Sequence, residues 1–443
     1  MNPTPAVPPS NKAALFAVFF VVFIDLLGFG IVLPLMPRYA NDYMQGYNDN
    51  QKGIVIGVLY SSFSLMQFLF SPMWGRLSDR IGRKPLIVMS LSGSIVFYAL
   101  FGYASTFGPE QAQLALLLLL LSRVGAGIAG ASVSTASAVI ADSTAPEKRK
   151  HGMALIGMAF GLGFTFGPLI AYAGLEIFNA AKWAPGAIAS GLSACALLLC
   201  ILKLPETLKP GVPPAPKHSF GFGRTMSVLK MPSVGPLILI YFLAIVAFAN
   251  FESTLALFTG DVFKFDDKAN FLVFAGVGFV LMIAQGGFYR RFAKKMSELA
   301  LMKAGVGMMF LGLGGLGAVG YVVSSSSTSP ETYRTMFYIS AAVAVFGFAF
   351  LNPSVAALVS RRADSNRQGE ILGVNQSFSA LGRIAGPLIG SYVFFLHPSR
   401  ALPFIVAGGL LFFVVLLMGA AAKGGNEAQE LAADQADVPQ IKS

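Results

Sequence analysis

Twelve stretches of this chain are apolar enough, over roughly 20 residues each, to cross a hydrocarbon layer as a helix. They run over 13–37, 54–73, 86–106, 114–141, 152–175 and 184–203, then 233–258, 270–289, 299–322, 335–359, 370–396 and 401–422. A helix satisfies every backbone N–H and C=O within one segment, so the pattern predicts an all-α membrane protein with twelve transmembrane helices. Composition leads to the same place. Of the 443 residues 55% are hydrophobic and 12% are charged, more apolar surface than a water-soluble fold of that size hides. The run over 13–37 exceeds the apolar core of a signal peptide and lacks a small-residue cleavage site, so it is expected to stay as the first span.

A net charge of +11 raises nucleic acid as a partner, and the placement of the cations excludes it. They lie in short connections, without a basic groove or interleaved aromatics. Connections after even-numbered spans hold Arg76, Arg80, Arg83 and Lys84, then Lys203, Lys209, Lys217, Arg224 and Lys230, then Arg290, Arg291, Lys294 and Lys295. Two further clusters, Lys148, Arg149 and Lys150, and Arg361, Arg362 and Arg367, follow spans four and ten. The opposite side holds Arg38, Lys52, Lys182, Lys264, Lys268, Arg334 and Arg400, spread over more connections. This bias places the cation-rich side and both termini in the cytoplasm. Compact connections favour a bacterial inner membrane.

Catalysis finds no support. Cys195 and Cys200 share one apolar segment with no His or acid beside them, and no nucleophile motif or phosphate loop is present, so no enzyme, metal or cofactor is expected. The segment 204–231 breaks the hydropathy pattern with Pro205, Pro210, Pro213, Pro214 and Pro216. It reads as a cytoplasmic linker between six-helix halves, 1–203 and 232–422, and 423–443 reads as a disordered tail. Gly167-Pro168-Leu169-Ile170 recurs as Gly386-Pro387-Leu388-Ile389, the mark of a duplicated half.

Two groups of residues carry candidate chemistry. The segment 75–84 reads as a cationic loop with one acid, Asp79, and two glycines, Gly75 and Gly82. Gly75 is expected to let helices approach, Asp79 to meet the positive end of a helix, and Arg83 to reach Asp142. With Arg80 and Lys84 they form a candidate cytoplasmic gate. In span five, Gly163 and Gly167 with Pro168 offer a small-residue face and a kink. The second group comprises the ionisable residues within spans, each of which costs free energy unless paired or hydrated. Asp25 and Arg123 fall in the first half, Glu252 and Arg383 in the second. One acid and one base per half point to proton coupling beside a substrate cavity that Gln67, Asn250 and Gln376 also line, with Gln285 and Asn375 as further candidates.

These motifs resemble the major facilitator superfamily over nearly the whole chain. The segment 75–84 is similar to that family's loop 2-3 motif, Arg123-Val124-Gly125 with Gly127 to its span-four arginine motif, and 163–168 to its span-five antiporter motif. Leu204-Pro205-Glu206-Thr207 resembles the family's stop after span six. Asp25-Leu26-Leu27-Gly28-Phe29-Gly30, Leu65-Met66-Gln67 and Val139-Ile140-Ala141-Asp142-Ser143 look like the tetracycline-efflux branch of drug:proton antiporters. The resemblance implies proton-coupled efflux of a drug-like or amphipathic small molecule by alternating access, by a monomer in the lipid bilayer. Departures limit it. Those pumps carry an acid in span three where this chain reads Gly93-Ser94-Ile95-Val96-Phe97-Tyr98, and they have no counterpart of Glu252 or Arg383. Two alternatives stay open: a carrier of organic anions or lipid headgroups held by Arg123 and Arg383, and a membrane receptor or assembly factor that does not transport.

Overall fold

Apolar runs broken by proline, glycine and charge dictate long helices with abrupt ends, and these are what the chain forms. The computed structural model describes residues 12–144, 149–208, 222–326, 329–363 and 367–436. The helices are α1 (Lys12–Val32), α2 (Met36–Asp42), α3 (Asp49–Ile81), α4 (Arg83–Ala104), α5 (Ala112–Gly130), α6 (Val133–Ser143), α7 (Arg149–Ile177) and α8 (Ala184–Lys203). They continue as α9 (Phe222–Leu229), α10 (Gly235–Phe263), α11 (Asp267–Ile283), α12 (Arg290–Phe292), α13 (Glu298–Ser325), α14 (Arg334–Arg362), α15 (Gln368–Phe394) and α16 (Leu402–Ala436). All twelve predicted spans fall on helix. Ten segments among the described residues are long and apolar enough to cross a membrane, and Gly161–Ile177 of α7 is a shorter apolar stretch.

Four local differences from the sequence expectation have physical reasons. The segment 75–84 is not a loop: α3 runs on to Ile81, Gly82 alone leaves the helix at φ +107°, and α4 starts at Arg83. Charged residues are good helix formers once the chain leaves the apolar layer, so hydropathy understates helix length. Span four is broken, α5 ending at Gly130 and α6 starting at Val133. Between α11 and α12 the chain makes a π-helical turn, Ala284–Tyr289, around the poor helix formers Gly286 and Gly287. The tail expected to be disordered continues α16 as far as Ala436, since its Ala, Glu and Gln favour helix; 437–443 and most of the linker, 209–221, lie outside the described residues.

The described chain packs as two compact units, Met1–Pro216 with Leu255–Met282, and Lys217–Thr254 with Ile283–Ser443. The first is built around α1. Ala17, Val18, Val21, Val22 and Leu26 pack on Ile87 and Leu91 of α4, Val139 and Ile140 of α6, Ala159 of α7 and Ala196 and Cys200 of α8. Both cysteines are free. The segment 255–282 joins this unit through polar contacts at one end of the helices. Arg38 donates to the Phe265 carbonyl at 2.6 Å and pairs with Asp267 at 2.6 Å, while Lys268 pairs with Glu176 at 2.7 Å.

Glycines set how closely helices meet. A Cβ on Gly163 would stand 2.9 Å from Leu26 Cβ, and one on Gly167 would stand 2.9 Å from the Gly30 carbonyl carbon, so α7 and α1 touch backbone to backbone. The second unit repeats the joint. A Cβ on Gly386 of α15 would lie 2.7 Å from the Val246 oxygen of α10.

This geometry predicts that Gly163→Val forces α1 and α7 apart, at a cost of about 1–3 kcal/mol. Gly161→Ala, whose Cβ would meet nothing within 4 Å, is expected to hold or raise stability by roughly 1 kcal/mol. Thermal unfolding of both variants in one detergent checks the contrast; equal melting temperatures would refute the close-contact account.

Candidate functional site

Arg83 is the hub of the first polar cluster. It opens α4 immediately after Gly82, is 8% exposed, and its guanidinium meets the end of α3 and the end of α6. Nη1 reaches Asp79 Oδ1 at 2.6 Å and donates to Ser78 Oγ at 2.6 Å, while Nε pairs with Asp142 Oδ2 at 3.1 Å. Asp79 therefore pairs with a side chain, and the place expected for it at a helix N-terminus belongs to another acid. Glu206, just past α8, accepts from the backbone N–H of Arg83 at 3.0 Å and of Lys84 at 3.1 Å. It also accepts from Thr207 and Leu208, each at 2.8 Å. Burial pushes the Glu206 carboxyl up, and these backbone donors outweigh that effect, leaving it below its ordinary value.

Gly82 is required twice over. Its φ of +107° suits glycine, and a Cβ there would lie 2.5 Å from Glu206 Oε2. Gly75 does not have the close approach expected of it, because a Cβ there would meet nothing within 4 Å. Arg80 is exposed, and Lys84 Nζ donates to the Ile201 carbonyl at 2.8 Å. Sequence reasoning missed Ser78 and the role of Glu206; an acid directly after a helix-ending proline was the available signal.

A second cluster repairs the break in span four. At the end of α5 the Ile128 and Ala129 carbonyls accept backbone bonds from Ala131 at 3.3 Å and Ser132 at 3.2 Å, and three neighbouring side chains supply further donors to this end of the helix. Trp74 Nε1 donates to the Ile128 carbonyl at 2.5 Å, Ser90 Oγ to that of Ala129 at 2.6 Å, and Gln67 Nε2 to that of Gly130 at 3.1 Å. Gln67, read from sequence as lining a cavity, holds backbone here.

Asp25 and Arg123, the two ionisable residues inside the spans of the first unit, do not form an ion pair with each other. Asp25 of α1 accepts from Ser94 Oγ of α4 at 2.9 Å. Arg123 of α5 is 2% exposed, with its guanidinium carbon 4.6 Å from the Phe63 ring centre and 5.8 Å from that of Phe29. Its Nε and Nη1 meet no acceptor among the described residues. Tyr98, buried over Gly28, lies within electrostatic reach of both Asp25 and Arg123. Thus span three, which lacks an acid, supplies Ser94 and Tyr98, residue types that do not stand out in an apolar helix.

In the second unit Glu252 of α10 and Arg383 of α15 interact electrostatically without closing an ion pair. Arg383 Nη1 donates to Ser379 Oγ at 3.2 Å, one turn back on the same helix. Asn250 is fully buried and donates to the Pro403 carbonyl of α16 at 3.0 Å, a helix-to-helix bond. Asn375 Oδ1 is buried without a partner among the described residues, and Gln376 is exposed. No group of three or more metal-ligating side chains occurs among the described residues.

Comparison with known proteins places this arrangement. The family model for the Major Facilitator Superfamily matches residues 18–329. Human "Major facilitator superfamily domain-containing protein 10" is 29% identical over 453 residues, covering 89% of this chain and 90% of the relative. "Tetracycline resistance protein, class D" of Salmonella ordonez is 28% identical over 384 residues, covering 87% and 90%. The crystal structure of the human organic anion transporter MFSD10 (TETRAN) superposes with a TM-score of 0.64 at 26% identity, covering 93% of this chain and all of that one.

The cluster around Arg83 predicts that Glu206→Gln loosens the α3–α4 corner in a pH-dependent way. A carboxyl held below its ordinary value contributes stability above its unfolded pKa and loses it as pH falls through the folded value. Wild type is therefore expected to lose stability between neutral and acidic pH, and Glu206→Gln to lose less. Melting temperatures across a pH series read this; parallel curves for the two proteins would refute it.

Proposed function

The chain belongs to the Major Facilitator Superfamily, and on that premise we propose that it exports an amphipathic small molecule against its gradient by alternating access, driven by protons. It is a multi-pass membrane transporter, not an enzyme. The proposal places it as a monomer in a bacterial inner membrane with both termini in the cytoplasm, in keeping with the bias of Lys and Arg. Relatives named for tetracycline resistance and for organic anion transport support a small organic cargo.

The observation that carries proton coupling is the setting of Asp25. Its carboxyl lies on a spanning helix, and the hydrogen bond it accepts comes from Ser94, a neutral hydroxyl. A carboxylate at membrane depth costs about 2.5–3.5 kcal/mol on insertion scales when charged. A group that is neither paired with a cation nor fully hydrated lowers that cost by binding a proton, and gives it up when hydration or a charge arrives. Alternating access supplies such a change. The Arg83 cluster is the proposed gate on the cytoplasmic side, where Asp79 and Asp142 hold α3, α4 and α6 through one guanidinium. Glu252, facing Arg383, is the second proton-binding candidate.

Asp25→Asn keeps the shape and the hydrogen bond and removes the titration. In proteoliposomes it is expected to lower proton-driven accumulation to the level of empty vesicles, while exchange of labelled cargo without a gradient persists. Full uphill transport by this variant would defeat the assignment. Asp79→Asn is expected to slow both processes, about tenfold or more, at unchanged protein yield; wild-type rates would remove the gate from the account.

A further inference from the structure

Arg123 is a buried charged group, two of whose guanidinium nitrogens meet no acceptor among the described residues. The guanidinium carries five N–H donors and no acceptor, and it stays charged. Phe63 at 4.6 Å and Phe29 at 5.8 Å offer ring faces, which favour the cation but accept no in-plane hydrogen bond. Nε and Nη1 stay without a partner among the described residues. Asp25, which lies on a neighbouring helix, is held by Ser94 instead. Arg383 differs, since it donates to Ser379 and interacts with Glu252. A buried charge stripped of its partners is strongly destabilising, so a site of this kind calls for an anion that arrives during the working cycle.

We propose that Arg123 is the receptor for the carboxylate of a flat, aromatic organic anion, bound in the first unit beside Phe63 and Phe29. The inference rests on reading the chain as a transporter and names the class of its cargo. Ring stacking confines the approach of an acceptor to the guanidinium plane, and a planar carboxylate meets that plane with two oxygens. A flat body continuing from the carboxylate slides over the ring faces. Phe29 and Phe164 stand 5.8 Å apart at 72°, which makes an apolar wall for it. The two nitrogens are buried in the described conformation, so the anion reaches them when the packing around Arg123 opens.

The test uses the full-length protein in lipid nanodiscs and three ligands that share one flat body: naphthoate, naphthamide and naphthylmethylammonium. Equilibrium binding is expected to favour naphthoate over the amide at least tenfold in wild type. Arg123→Gln is expected to abolish that preference, and Arg123→Lys to keep part of it, because a point charge replaces a planar fork. Size-exclusion profiles and melting temperatures establish folding; if Arg123→Gln fails to fold, the wild-type ligand series and Arg123→Lys decide. The proposal is overturned by absence of naphthoate binding at millimolar concentration, by amide or ammonium binding as tight as naphthoate, or by a preference that survives Arg123→Gln. Proton-driven flux in proteoliposomes reads the coupling separately. Carboxylate preference without proton-driven flux would overturn coupling and leave this site standing. Proton-driven flux of the ammonium compound without carboxylate preference would do the reverse.

Discussion

Inside an apolar layer each peptide group must find its partner within the protein, and the rest of this structure follows from that constraint. Unbroken helices satisfy it by themselves. The break between α5 and α6 is reinforced from outside, where Trp74, Ser90 and Gln67 bring donors from α3 and α4 to the Ile128, Ala129 and Gly130 carbonyls. An intramolecular hydrogen bond contributes about 0.5–1.5 kcal/mol net, so sliding α3 or α4 past α5 would be resisted at three points at once. The broken helix is therefore the element that ties α3, α4 and α5 together.

A second joint works without polar atoms. Where Gly163 and Gly167 meet Leu26 and Gly30, contact between α7 and α1 is made by backbone, and the same arrangement recurs where Gly386 meets α10. Pro168 and Pro387 each follow a close-contact glycine, removing an N–H beside it. Backbone contact permits rotation of one helix on another with little side-chain interlocking, whereas the capped break around Gly130 does not. The glycine joint is thus suited to act as a pivot and the capped break as a strut.

Much of the architecture was legible in the sequence because a bilayer imposes a length scale, so that twelve apolar runs translate into helix positions within a few residues. The Gly-Pro repeat showed the duplication for a similar reason: a tetrapeptide that governs close contact cannot drift freely. Helix ends were less legible. The segment 75–84 looked like a loop because hydropathy registers where the membrane stops, and α3 continues beyond that point. Polar partners were least legible of all. Ser78, Ser94 and Tyr98 gain their importance from residues 5 to 73 positions away, as in the bonds Ser78 makes with Arg83 and Ser94 with Asp25. Nothing local marks them. Charged residues such as Asp25 and Arg123 were conspicuous, but their partners were not, and side-chain geometry does not pair the two with each other.

That missing pair is informative in its own right. If Asp25 and Arg123 neutralised each other, neither would be free to answer a proton or a ligand, and both would act as struts. Instead the acid is held by a neutral hydroxyl and the base by aromatic faces, with Tyr98 within reach of both. Opposite charges in a low-dielectric interior attract strongly unless something holds them apart. Here Ser94 holds Asp25 from α4, and Phe63 holds Arg123 from α3, helices that the capped break ties to α5. The polar repair of span four and the separation of the two charges thus depend on the same neighbours. A disturbance at Gln67 or Ser90 would reach the charge pair without touching either charged residue, since the helices that repair the backbone also keep acid and base apart.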